Sequence, residues 1–566
     1  FCSVTSANGA DGSAIREQKR SLSMEHEDSD DIRNDERPKL EALEVGEDVR
    51  QTRIPWPRTL GRVFSHCSSQ TTNGSARGMR KLMQMRPLEV DTEILRGVPF
   101  HKALRQPSLL LWPSLYRHKP RAAELWKRSQ KVDGFDFFIS HTWRTPGRWK
   151  ILSLLMQSGW AHGLWGGFFG VALILILECF EVIKPVGMGA MILAGVEYTF
   201  PASPWVIIFG PLSMILGVCA SLLVPLRSQL CFLDMTSIHQ SDPKLLERGI
   251  YSIGGFLSVS KELRVLYTPP YFTSLWCLFE MVAFRTSNPA GKMTFLPLFL
   301  ERSVLVVACC MWVLTFAQWS VTSLVDAEYR QQNMQFLSLF LIPMMMAMVH
   351  STRRNYGEKR QLMDDLKCFQ LDKVTCASDF DRAFIYKAID SWYGSKDAFT
   401  KFVRGPLREE LLDLLPSPHL PWTYAAFILS GPLTYRVQLG FSLFHAGADA
   451  QPLLMYAMSS AAYIFGWLWP SFNGLFFLCD KTSTSGETWC VSVGKTLVVT
   501  LATFMCLFIS EGLAIVVLRA ENLLVGIGFL VASMLLPCYI WCWTPLRRAQ
   551  RSQCLESESP SSTFEI

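Results

Sequence analysis

The chain has 566 residues, of which 18% are charged and 49% fall in the hydrophobic set, and its mean hydropathy is +0.19. An ordinary soluble domain carries about 25% charged residues, so this balance excludes a wholly soluble enzyme, while apolar residues are too common for a disordered or collagen-like chain. The 55 Lys+Arg against 49 Asp+Glu leave a net charge of +6, too small a surplus to imply a nucleic-acid partner.

Residues 1–97 read as a disordered polar tail. No aromatic residue lies between Phe1 and Trp56, and the stretch from Ser21 to Arg50 is dense in charge. Such a segment cannot bury enough apolar surface to offset its chain entropy. A chain that starts at Phe1 leaves targeting signals upstream of it open. The 16 cysteines include no CxxC pair, and several (Cys179, Cys219, Cys309, Cys310, Cys506) sit inside apolar runs. This pattern points to small buried hydrophobes in a reducing compartment rather than to zinc or a disulfide framework.

Runs long enough to cross about 30 Å of hydrocarbon follow. Gly163–Ile183 with Ser203–Leu226, and Ser303–Val325 with Asn333–His350, read as two separate membrane hairpins. Trp422–Phe444, Pro452–Leu478, Val491–Leu518 and Asn522–Trp543 form a second group, for about eight spans within 163–183, 203–226, 303–325, 333–350 and 422–543. The lipid bilayer is thus the first partner. Segments 121–150, 227–302 and 353–408 and the Ser-rich tail 544–566 are rich in Lys and Arg. The positive-inside rule therefore predicts cytoplasmic placement for them and for both termini. Since each early hairpin leaves the cytoplasm and returns, residues 98–160 and 227–300 are predicted to build one split domain, with 351–420 as a helical segment beside it.

The soluble pieces alternate strand and helix. Phe135–Ser140 (FDFFIS), Leu230–Asp234 (LCFLD), Glu262–Tyr267 (ELRVLY) and Met293–Phe299 (MTFLPLF) are short apolar runs of the kind that form buried strands. Helical stretches separate them, which predicts a doubly wound parallel sheet. Such sheets bind ligands beyond the carboxyl ends of their strands. Here those ends hold Ser140 to Arg144, Asp234, and Thr268 to Tyr271. His141 and His239, with Asp234 nearby, raise metal binding or a general base as further chemistry, but no third ligand is evident, and no metal site is assigned.

The order FFIS-HTWR, FLD with LLERG, ELRVLYTPPY, SLWCLFEM and MTFLPLF resembles a Toll/interleukin-1 receptor (TIR) domain of the plant and bacterial type. Ser274, Trp276, Cys277 and Glu280 match its helix motif, Thr268, Pro269 and Tyr271 its turn, and Arg248 and Gly249 its pair after the second strand. The interleaving with membrane segments is similar to that of long multi-pass proteins of dinoflagellate algae. The resemblance covers about 100 of the 566 residues. It implies a flavodoxin-like cytoplasmic α/β domain with a signalling role, self-association through that domain, and Glu280 as the residue needed to cleave the nicotinamide–ribose bond of NAD, a substrate rather than a cofactor. On that reading Ser140, His141, Trp143, Arg144, Asp234, Tyr271 and Trp276 line the substrate site. Arg144 or Arg148 would hold phosphates bidentately, and Trp143 would stack on a ring. The chain departs from the family pattern in its HTWRTPGR loop, in the membrane hairpins that interrupt it, and in lacking a recognisable fifth strand. Many TIR domains are adaptors without activity, so a non-enzymatic scaffold is the alternative. A channel or transporter is the other, because Glu178, Glu181, Arg436, Lys495 and Glu511 fall in or near apolar spans.

Overall fold

A computed structural model describes residues 90–538, apart from 106–118, 225–227, 325–340, 416–419, 377, 485, 521 and 536. Most of the expected tail, the beginning of the Asn333–His350 span and the tail 544–566 lie outside the described residues.

Six strands form one sheet: β1 (Arg96–Pro99), β2 (Gln130–Lys131), β3 (Phe137–His141), β6 (Leu230–Phe232), β7 (Glu262–Tyr267) and β8 (Lys292–Pro297), in the order β2-β1-β6-β3-β7-β8. The four strands β6-β3-β7-β8 run parallel, and they coincide with the four runs read from the sequence. The antiparallel edge of β1 and β2 corrects one boundary. The polar tail drawn to residue 97 ends earlier, because Ile94 and Leu95 are buried at 4% and 2% exposure and β1 starts at Arg96.

Central parallel strands are buried on both faces and so read as unbroken apolar runs. In β3 all five residues are buried, and alternation sorts them. Phe138 joins the core on one face of the sheet, and Phe137 and Ile139 the core on the other. Ser140 and His141 continue this alternation, which places them on opposite faces.

The helices connect sheet and membrane without a break. Helix α1 (Gly147–Cys179) starts six residues after β3 and runs for 33 residues. The span predicted at Gly163–Ile183 is therefore the outer part of a helix that begins inside the sheet domain and ends before Phe180. It is joined to α2 (Trp205–Ala220) by a hairpin of β4 (Gly187–Leu193) and β5 (Val196–Ala202). Glycines let α1 and α2 approach closely: a Cβ on Gly166 would lie 2.6 Å from the Ser213 carbonyl oxygen, and one on Gly163 2.8 Å from Val218. After α3 (Pro243–Tyr251), capped by Asp242, comes α4 (Leu275–Ser287). Strand β8 passes directly into α5 (Leu298–Leu324), and α6 (Leu341–Lys367) returns to pack on the turn Pro269–Thr273. Helix α7 (Asp379–Tyr393), capped by Ser378, and the segments to Leu415 share one core with the sheet: Phe384, Ile385, Phe399, Leu407 and Leu411 pack with Leu263, Val265 and Phe279. The 351–420 segment is thus built into the sheet domain up to Leu415.

Three long helices follow: α8 (Trp422–His445), α9 (Ala450–Thr482, with a π-helical stretch at Ala462–Leu468) and α10 (Trp489–Arg519). Among the described residues four helices are long and apolar enough to cross a membrane: α1, α5, α9 and α10. They mark an integral membrane protein. Trp205–Ala220 and Leu523–Leu535 are apolar but shorter.

Candidate functional site

The carboxyl ends of β3, β6 and β7 converge on one polar cluster, and α4 lies against it. Its centre is a chain of three side chains. The Ser140 hydroxyl donates to Glu280 Oε2 at 2.5 Å and lies 2.6 Å from the Tyr271 hydroxyl. Tyr271 also reaches the Cys277 carbonyl at 3.3 Å. Ser140 is supplied by the last inward position of β3, Tyr271 by the Pro269–Thr273 turn after β7, and Glu280 by the second turn of α4. Ser140 and Tyr271 are fully buried, whereas Glu280 is only partly so.

The opposite face of β3 carries the second half of the cluster. The His141 ring packs edge-on against Trp143, at 4.9 Å between centroids. The Trp143 indole N–H donates to Asp234, which also accepts from its own helix start through the Met235 amide at 2.8 Å. Lys150, on the first turn of α1 and 1% exposed, places its ammonium 5.5 Å from the Trp143 ring. The sequence reading missed Lys150. Its signal was available, since no further Asp, Glu, Lys or Arg follows it in α1 until Glu178.

Burial sets the electrostatics. It raises the Glu280 carboxyl to about 8 against the pull of the Ser140 hydrogen bond, and the Asp234 carboxylate pushes it the same way. No cation figures among the groups acting on it. Burial raises Asp234 to about 6, opposed by the Met235 amide, Lys150 and Trp143. Burial, with Lys150 beside it, drives the His141 imidazole well below its ordinary range, so it is neutral at neutral pH. Burial likewise lifts the Cys277 thiol and the Tyr271 phenol, so both stay protonated. Glu280 is then a group that changes protonation near neutrality, the property of a general acid or base.

The other expected residues have different settings. Arg144 is exposed at the rim, where its guanidinium bonds Thr273 at 3.3 Å and Thr375 at 3.4 Å. Arg148 is exposed, over the Trp149 ring. Trp276 packs away from the cluster: its ring stacks on Phe384 of α7, and its indole N–H donates to Asp381 at 3.4 Å. His239 packs on Trp126 and accepts the Asp242 amide at 3.0 Å, apart from the neighbours of His141. Among the described residues no group of three or more His, Cys, Asp or Glu side chains is arranged to hold a metal ion. Compared with known proteins, the chain matches no family model, no curated protein and no solved structure.

Proposed function

We propose that this is a membrane-anchored signalling protein whose split, TIR-like cytoplasmic domain cleaves the nicotinamide–ribose bond of NAD at Glu280. The observation that carries this reading is the Tyr271–Ser140–Glu280 chain at the carboxyl ends of parallel strands, with Glu280 partly open to solvent. The strand order β6-β3-β7-β8 supports a flavodoxin-like sheet, since it sets the second strand beside the first and the third and fourth on the other side. Helices α1 and α5 leave this domain, and α2 and α6 lead back to it. Their basic flanks support a cytoplasmic sheet domain, and an even number of crossings, about eight, would then put both termini in the cytoplasm.

The chemistry suits the site. The C1′–N bond breaks with its electron pair passing to the pyridinium nitrogen, so nicotinamide leaves neutral and needs no strong acid. Water then adds at C1′ and its proton passes to the carboxylate or solvent, giving ADP-ribose. Ionised Glu280 beside the ribose would hold a hydroxyl and stabilise the oxocarbenium-like transition state, with Ser140 and Tyr271 fixing its orientation. The test is NAD consumption by the full chain in liposomes. Glu280→Gln is expected to lower kcat by about 10²–10³, the usual cost of removing one electrostatic stabiliser. Equal rates would remove the catalytic claim.

The setting of Trp276 supports a second reading, a non-enzymatic scaffold that self-associates, because the motif tryptophan packs in the core. That reading stands if the liposome rates are equal and the full chain sediments as an oligomer. The polar groups of the bundle bond to one another, Arg436 to Glu511 and Glu178 to Gln438, which favours an anchor over a transport path.

A further inference from the structure

The far end of the bundle holds an acid and an amide whose hydrogen bonding is incomplete in a specific way. Glu178 lies in the last turn of α1, and Gln438 lies in α8 at 3% exposure. The Gln438 Nε2 donates to Glu178 Oε2 at 2.9 Å. The two remaining oxygens, Glu178 Oε1 and Gln438 Oε1, are both buried and neither has a hydrogen-bond partner. An ionised carboxylate would leave both of these buried oxygens without a hydrogen bond, a costly arrangement in an apolar surrounding. A carboxylic acid has an O–H to give. One proton on Oε1, donated to Gln438 Oε1, satisfies both oxygens and closes a ring of two hydrogen bonds between acid and amide.

Among the described residues the one positive group acting on the carboxyl is an exposed imidazole. Ser203, just before α2, contributes a hydroxyl, and His445 stands exposed at the end of α8. Arg436, on the same helix as Gln438, is committed to α10: its guanidinium bonds both oxygens of Glu511, at 2.6 and 2.8 Å, and lies 4.6 Å from the Tyr463 ring. We propose that Glu178 and Gln438 form a proton-binding site inside the membrane, a protonated carboxyl locked to a carboxamide across α1 and α8. The ligand is a single proton, and the pair ties the helix that starts at the candidate site to the second helical group.

The test uses the full chain in lipid nanodiscs and does not involve NAD, so it stands or falls apart from the activity assay. Glutamine at position 178 reproduces the protonated acid, since its N–H donates to Gln438 Oε1 and its oxygen accepts from Gln438 Nε2. Glu178→Gln is therefore expected to keep the wild-type thermal midpoint, while Glu178→Ala and Gln438→Leu lower it. The infrared difference spectrum of wild type minus Glu178→Gln is expected to contain a carboxylic-acid C=O band that shifts in heavy water. Three results would each overturn the proposal: Glu178→Gln as damaging as Glu178→Ala, no acid band in the difference spectrum, or a sodium-dependent stabilisation of the wild type that Glu178→Gln abolishes. The last would assign the two oxygens to a metal cation. If Glu178→Ala fails to fold, the Glu178→Gln midpoint and the spectrum still decide.

Discussion

Two partly buried acids, Glu280 at the strand ends and Glu511 in the helical bundle, show two ways of holding a carboxyl largely away from water. Glu511 has a dedicated cation: Arg436 donates to both of its oxygens through one guanidinium nitrogen, and Tyr456 binds the backbone oxygen of the same arginine at 2.9 Å. Glu280 has hydroxyls and a like-charged neighbour instead, and its proton is held by burial. Glu301, at the first turn of α5 where sheet meets bundle, lies between these cases, accepting from Tyr424 at 2.9 Å, Ser153 at 3.0 Å and Gln157 at 3.3 Å. An acid matched to a cation is a structural clamp, whereas an acid left to change its protonation is available for chemistry.

The largest effect should come from breaking the clamp. Glu511→Ala leaves Arg436, 7% exposed, as a buried charge without its partner, which costs about 3–5 kcal/mol. Reversible unfolding in mixed micelles should show that loss. Glu280→Gln removes an acid that already carries its proton at neutral pH, and its stability should change by no more than about 1 kcal/mol. Equal losses in the two variants would break the contrast, because Glu280 would then be a structural clamp as well.

A smaller effect concerns pH. The ionised form of Glu280 is disfavoured in the fold, so kcat/KM for NAD cleavage should rise as pH passes through about 8. Asp234→Asn removes a negative charge that opposes ionisation, so the rise should move to lower pH. The linked stability has the opposite sense. A carboxyl raised on folding stabilises the domain fully below the ordinary Glu range and loses that contribution as pH climbs towards about 8. The midpoint of the sheet domain should fall over this interval in the wild type, and less in Glu280→Gln. A pH–rate profile unmoved by Asp234→Asn would separate the two carboxyls.

The parallel strands were legible because each is buried on both faces and so leaves an apolar run of several residues. β1 was not: it is four residues long, ends in Pro99, and pairs with Cys231 and Leu230 more than 100 positions away. The β4–β5 hairpin was also missed. Its turn places Ala194 and Gly195 at φ 50° and 78°, the left-handed geometry of a tight hairpin turn. GMGAMIL, however, does not alternate, and it sits between two apolar helices. At the site, Ser140, Asp234, Tyr271 and Glu280 could be read as strand-end and helix residues from order alone. Lys150 was absorbed into an apolar helix. Which partners the charged residues of the apolar spans take was not legible from order: α8 offers Gln438 to Glu178, α10 offers Glu511 to Arg436, and Glu487 takes Lys495. Glu181, past the end of α1, is exposed.

Trp276 gives the smallest and most discriminating test. The motif places it one helical turn before Glu280, and the sequence could not show that α7, about 100 residues later, docks there. Its ring stacks on Phe384 and meets Phe279 edge-on at 5.4 Å. Its indole N–H shares Asp381 with the Tyr251 hydroxyl, which binds that carboxylate at 3.0 Å. Trp276→Phe keeps an aromatic face for Phe384 and loses one long hydrogen bond whose acceptor stays satisfied by Tyr251. Stability should fall by about 1 kcal/mol, and KM for NAD should not change. A raised KM at unchanged stability would return Trp276 to the substrate site and place a wall of that site on the α7 side of α4.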